Sequence, residues 1–294
     1  MTDALLVCCG LATLDVVQVV DRLPRADEKV VARGLDVTFG GPAANAAATA
    51  AALGVRTRLV TALGSGPVAD LVRDGLVAAG VEVVDLLAGR PGAPAVSTVL
   101  VTAGTGQRAV VSVNATGVGA LEAPGPDALD GATALLVDGH HLEVGLALAT
   151  AAHHRGVPVL LDGGSWKPGL ERLLAVVDHA VLSADFALPD RPAEPEDLLD
   201  LVAALGPRNV ARSAGAGPVL VRTSSAAGGV SWSRIDPPEA EVVDTLGAGD
   251  VLHGATAARL ADGAGIVAAL TEGVRRASES VRWPGALGWV RASG

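Results

Sequence analysis

The stretch VVDTLGAGDVLHG, Val242 to Gly254, places two glycines and an acidic residue between two apolar segments. Val-Val ahead of it reads as the end of a strand, and the Ala-rich run behind it as a helix. In an open parallel sheet, ligands collect beyond the carboxyl ends of the strands. A glycine-rich turn that opens a helix presents free backbone N–H groups at the positive end of the helix dipole, which suits a phosphate. Gly247, Ala248 and Gly249 carry little or no side chain, so an anion can come close to the main chain. Asp250, in the same turn, would repel that anion unless it has another task. As a general base it would take the proton from a hydroxyl that attacks a phosphoryl group. Taken alone, GAGD fits equally well a tight turn whose aspartate favours the helix N-terminus.

The flanking chain supplies the sheet that this turn requires. ALLVCCG (Ala4 to Gly10), RTRLVTALG after Gly54, ALLVDG (Ala134 to Gly139), VPVLLDGG (Val157 to Gly164), HAVLS (His179 to Ser183), GPVLVRT (Gly217 to Thr223) and GGVSW (Gly228 to Trp232) read as strands. Helix-like runs lie between several of them, including Ala43 to Gly54 and Val68 to Gly80, each closed by a glycine. That alternation predicts a parallel sheet covered on both faces. Two segments break it, Asp15 to Gly41 and Ala95 to Asn114, which alternate like strands with no helix between them. The second turns at AGTGQ as a hairpin. Such insertions often form a small sheet over a site.

Composition narrows the class. A chain of 294 residues can bury an ordinary core. With two Phe, four Trp and no Tyr, that core must be built from Ala, Val and Leu. The net charge of -10 argues against a nucleic-acid partner. The uncharged run from Val37 to Val55 is too rich in Gly, Ala and Asn to span a membrane. Cys8 and Cys9 are adjacent in the first strand, point to opposite faces and cannot pair. No basic n-region precedes the first strand, so the expectation is a soluble protein of the reducing cytoplasm.

The full length resembles the ribokinase-like (PfkB) family of carbohydrate kinases. DTLGAGD (Asp244 to Asp250) is similar to that family's C-terminal signature, and GGPAANAA (Gly40 to Ala47) to its N-terminal one, about two hundred residues earlier. The resemblance implies a three-layer α/β/α domain over residues 1–294 with a mainly parallel sheet. A small β lid would be formed by segments of about 15–39 and 95–114. It further implies ATP as donor, Mg²⁺ as its ion, a sugar hydroxyl as acceptor, and a homodimer paired through the lid.

Roles carry over residue by residue. Asp250 matches the catalytic base, and Gly247, Ala248 and Gly249 the anion hole. Asp15, Gly41 and Asn45 match substrate contacts; a carboxylate and an amide suit vicinal hydroxyls. Asn114, ending the lid hairpin, could reach the substrate, and Arg108 on the same hairpin could clamp a phosphate. Thr223 and Gly228, within VRTSSAAGG, match a nucleotide segment. Asp244 matches one ligand of a monovalent cation, K⁺.

The sequence resembles most the ketohexokinase and sulfofructose kinase branch, with two departures. Pro42 replaces an amide after the Gly-Gly pair, which argues against simple fructose. The family's Asn-x-x-Glu element reads SADF, Ser183 to Phe186, so Asp185 or the nucleotide phosphates alone would have to hold magnesium. The paired histidines His140–His141 and His153–His154 sit too far apart in the chain pattern for one zinc; one of the first pair could face the substrate. Asp162 closes a strand at the same edge as a nucleotide-side or structural carboxylate. The four tryptophans read as packing residues. The lid's single aromatic, Phe39, disfavours a nucleoside as substrate, although a nucleoside kinase or a ligand-binding sensor without turnover remain the alternatives.

Overall fold

The computed structural model describes residues 4–92, 94–114, 117–225 and 228–292. Strand β1 (Leu5–Cys9) is buried at every position, as expected of a parallel strand covered on both faces. Its alternation still matters: Cys8 faces one core and Cys9 the other, and both are free thiols.

Nine strands form the main sheet. Besides β1 these are β4 (Arg56–Thr61), β5 (Val81–Asp85), β8 (Ala134–Val137), β9 (Val159–Gly163), β10 (His179–Leu182), β11 (Asn209–Ala214), β12 (Gly217–Ser224) and β13 (Val230–Ile235). Their order is β13-β12-β11-β10-β9-β8-β1-β4-β5. Pairings from β5 to β11 are parallel, while β12 and β13 add an antiparallel edge. Helices α1 (Pro42–Ala52), α2 (Pro67–Ala78), α6 (Ala248–Ala261) and α7 (Ile266–Ser280) cover one face. On the other lie α3 (Leu142–His154), α4 (Leu170–Leu174) and α5 (Pro195–Ala203), and α8 (Gly288–Ala292) ends the described chain. The expected three layers are present.

The alanine run of α1 has a purpose in packing. A Cβ on Gly254 of α6 would lie 2.4 Å from the carbonyl oxygen of Ala46. The two helices therefore touch backbone to backbone, and only small residues allow it.

The two irregular segments form a second sheet. Strands β2 (Thr13–Val20), β3 (Gly34–Gly40), β6 (Ala95–Thr102) and β7 (Arg108–Ser112) run in the order β3-β2-β6-β7. Each segment makes an antiparallel hairpin, and the hairpins join through the parallel pair β2 and β6. Register puts Asp15, Thr38, Ser97 and Ser112 in one row across the four strands. Asp15 thus lies on lid strand β2. Two tryptophans depart from the expected packing role: Trp232 and Trp283 are each 42% exposed. No helix among the described residues is long and apolar enough to cross a membrane.

Candidate active site

The site begins at the carboxyl edge of the main sheet, where the chain leaves β1 and β8. The buried Asp138 carboxylate accepts the amides of Leu11 at 2.8 Å, Ala43 at 3.2 Å and His140 at 2.8 Å. One side chain thereby joins the β1–β2 loop, the first turn of α1 and the β8–α3 loop. Gly40 and Gly41 follow from the same crowding. A Cβ on Gly40 would lie 2.0 Å from Asp15 Oδ2, and one on Gly41 would lie 2.4 Å from the Leu11 carbonyl. Gly41 also takes φ 98°, which a side chain disfavours.

A cavity of about 290 Å³ lies between the lid and this edge, lined by Asp15, Asn45, Phe39, Val101, Leu246 and Ala286 among others. Asp15 accepts a hydrogen bond from the Thr13 hydroxyl at 2.6 Å. Burial raises its pKa above the usual carboxylate range, against the hydrogen bonds from Thr13 and Ser97. Asn45 Nδ2 donates to Asp250 Oδ2 at 2.7 Å, so the two signature stretches meet. Asn45 is thus a partner of the Asp250 carboxylate as well as a wall of the cavity.

Asp250 stands in the first turn of α6. The N-cap, Gly247, takes φ 74° and offers no side-chain cap. A Cβ there would lie 2.3 Å from Ala286 Cβ, whereas beside Gly249 there is open space. Main-chain amides without a side-chain cap, next to open space, suit an oxyanion, although the Ala248 N–H also donates to the Thr245 carbonyl at 3.3 Å. Asp244 fixes this loop: Oδ1 accepts Leu246 N–H at 2.9 Å and Oδ2 accepts Gly285 N–H at 2.8 Å. Each oxygen keeps a lone pair, so a monovalent cation could still share the carboxylate.

Burial raises the Asp250 pKa to about 7, helped by the nearby Asp162 carboxylate; Asn45, His253 and Arg108 oppose the rise. A base poised near neutrality suits proton abstraction. Asp162 is buried with its own pKa raised, chiefly by burial, and lies 3.3 Å from His253 Nδ1. It is thus paired within the same edge rather than free for the nucleotide.

The remaining candidates are more scattered. Arg108 donates to Thr245 at 2.9 Å (carbonyl) and 3.2 Å (hydroxyl), tying the lid hairpin to the signature loop. Asn114 is exposed at φ 46° beyond β7 and is not in the cavity lining. Thr223, on β12, donates to the Ser231 carbonyl at 3.4 Å, and Gly228 takes φ 83° in the β12–β13 hairpin. His140 and His141 are largely buried at the α3 start, and burial lowers both pKa values. His141 adopts left-handed φ 52°.

In SADF, Phe186 is buried against Trp166 with ring centres 6.3 Å apart, while Asp185 is exposed. Among the described residues no group of three His, Cys, Asp or Glu could hold a metal. With Phe186 at its last position, the SADF element offers magnesium a single carboxylate, Asp185.

Asp138 and His253 carry much of this geometry and were not singled out in the sequence. The available signal was a polar residue ending an apolar strand and a histidine inside an apolar helix.

The profile of pfkB family carbohydrate kinases matches residues 3–289. The chain is 28% identical over 299 residues to a ribokinase of Arabidopsis thaliana, covering 96% of this chain and 77% of that protein. An ATP-dependent ribose-1-phosphate kinase of Halopiger xanaduensis is 34% identical over 160 residues, 53% of this chain. This chain spans only about half, 52%, of that relative. The structure of the Arabidopsis ribokinase complexed with ribose and ATP superposes with a TM-score of 0.71 at 23% identity, covering 97% of this chain and 95% of that one. That likeness is one of fold. Two signatures joined by a hydrogen bond and a family match over nearly the whole length lead to one assignment: the chain belongs to the pfkB family of carbohydrate kinases.

Proposed function

We propose that the chain, as one kinase domain over residues 1–294, transfers the γ-phosphoryl group of ATP to a primary hydroxyl of a sugar or sugar derivative. The observation that carries this reading is Asp250: a carboxylate raised to about 7, held by Asn45, beside an uncapped glycine turn and below a lid. Asp15, Gly41, Asn45 and, from the lid end, Asn114 would hold the sugar. Asp250 takes the proton of the attacking hydroxyl as its oxygen bonds to phosphorus and the bond to the ADP oxygen breaks. The amides of Gly247, Ala248 and Gly249 carry the developing negative charge. Thr223 and Gly228 would hold the nucleotide, with Arg108 near its phosphates.

Magnesium would arrive on the nucleotide phosphates, and Asp244 would share K⁺ with loop carbonyls. A homodimer through the lid is supported by Val37, Val96 and Val111, which are 47%, 38% and 75% exposed on its outer side. Two free buried thiols support a reducing cytoplasm.

The reading is tested by ADP release with Mg-ATP across ketoses, aldoses, sugar acids, sulfosugars, sugar phosphates and nucleosides. Turnover on a sugar, abolished in Asp250→Asn, supports it. Turnover confined to nucleosides would assign a nucleoside kinase. ATP binding with no turnover on any acceptor would favour a sensor, the reading that the buried Phe186 in the SADF element supports.

A further inference from the structure

His253 lies in α6 one turn beyond Asp250 and is 6% exposed. Its Nδ1 is 2.7 Å from the Gly249 carbonyl oxygen and 3.3 Å from Asp162 Oδ2. Its Nε2 is 3.0 Å from the carbonyl oxygen of Val181 in β10. Every one of these neighbours is an acceptor. A neutral imidazole donates from one nitrogen only, so it would leave a lone pair facing a carbonyl; the imidazolium satisfies both sides. Asp162, 5% exposed at the end of β9, supplies the counter-charge that a buried cation needs.

We propose that Asp162 and His253 form a buried carboxylate–imidazolium pair that ties the first turn of α6 to the ends of β9 and β10 and stands a fixed cation beside Asp250. The inference rests on Asp250 being the base and adds two positioning residues to that role. The Gly249 carbonyl belongs to the same planar peptide as the Asp250 N–H. The His253 hydrogen bond therefore fixes the plane of the peptide between Gly249 and Asp250, directly after the three proposed anion-site amides. The pair also bears on the charge of Asp250, which faces Asp162, His253 and Arg108 together with the Asn45 amide. Asp162 in turn faces His253, Asp138 and Lys167.

The two partners carry opposite charges, so their removal moves Asp250 in opposite directions. His253→Gln removes the cation and shifts the acid limb of the kcat profile to higher pH, by roughly half a unit or more. Asp162→Asn removes the anion and shifts it to lower pH. Both variants lower kcat about tenfold with little change in sugar KM, through the loosened turn. Packing alone would lower kcat without opposed shifts, so limbs that stay fixed or move together overturn the proposal. A second measurement needs neither variant nor turnover. In the full chain labelled with ¹⁵N-histidine at neutral pH, one of the six imidazoles should show both ring N–H protons protected from exchange. If no imidazole does so, the pair is not an imidazolium. If wild type releases no ADP on any acceptor, the kinase reading fails while this spectrum still decides the pair.

Discussion

Asn45 Nδ2 sits 2.7 Å from Asp250 Oδ2, although the two residues are 205 positions apart in the chain. The contact joins the first turn of α1 to the first turn of α6. It exists because Gly254 lets those helices meet backbone to backbone. The amide favours the ionised carboxylate while burial and Asp162 oppose ionisation.

Asp250→Asn should lower kcat by about 10²- to 10⁴-fold, the usual weight of a general base. It should also stabilise the fold in a pH-dependent way. The folded pKa near 7 lies well above the ordinary aspartate value, so the folded state prefers the proton. Ionising Asp250 therefore costs stability increasingly as pH rises from about 4 to 7, and nothing below that window. Thermal melts should show Asn raising Tm at pH 8 and leaving it unchanged at pH 3.5.

Asn45→Leu removes the donor to Asp250. The acid limb of kcat should then move to higher pH, because the ionised carboxylate loses its hydrogen bond. Activity at pH 6 should fall more than at pH 8. An equal loss at both would assign Asn45 to the sugar alone.

Arg108→Ala cuts the tie between the lid hairpin and Thr245. The lid should then open more often and admit water. The expected results are a higher sugar KM and an increase in sugar-independent ATP hydrolysis, read as ADP release without acceptor. Losing a cation that opposes the raised Asp250 pKa should also move the acid limb of kcat to higher pH, so at pH 8, where Asp250 is ionised, kcat at saturating sugar should change less than KM.

Gly254→Ala should cost stability and, by parting the two helices, loosen the Asn45–Asp250 hydrogen bond. The added methyl would meet the Ala46 backbone at 2.4 Å, forcing α1 and α6 apart. Overpacking of this kind costs about 1–3 kcal/mol, measurable by urea unfolding. Ala at Gly249, where the space is open, should by contrast leave stability nearly unchanged while impairing ATP turnover.

Gly40→Ala probes the sugar end. Its methyl would occupy the position of the Asp15 carboxylate. Sugar KM should rise at least about tenfold, on the scale of a hydrogen bond to a charged group, with ATP affinity unchanged in a binding titration.

What could be read along the chain was what depends on short-range pattern. The all-apolar run of β1, the glycine that follows each of α1 and α2, and the strand alternation of the two lid segments each reflect neighbours in sequence. The motif stretches at Gly40–Asn45 and Asp244–Asp250 were legible for the same reason: a turn opening a helix needs its glycines consecutively. Tertiary structure alone decided which distant groups share a dielectric and a hydrogen bond. Asp138 gathers amides from three loops, and Asp244 serves first as a staple between Leu246 and Gly285. The lid's central parallel pairing joins two hairpins far apart in sequence. Asp162, in sequence a nucleotide-side or structural carboxylate, finds its partner only because β9, β10 and α6 converge on His253. Charge on a buried group is set by what surrounds it in space, and local sequence carries almost no record of that.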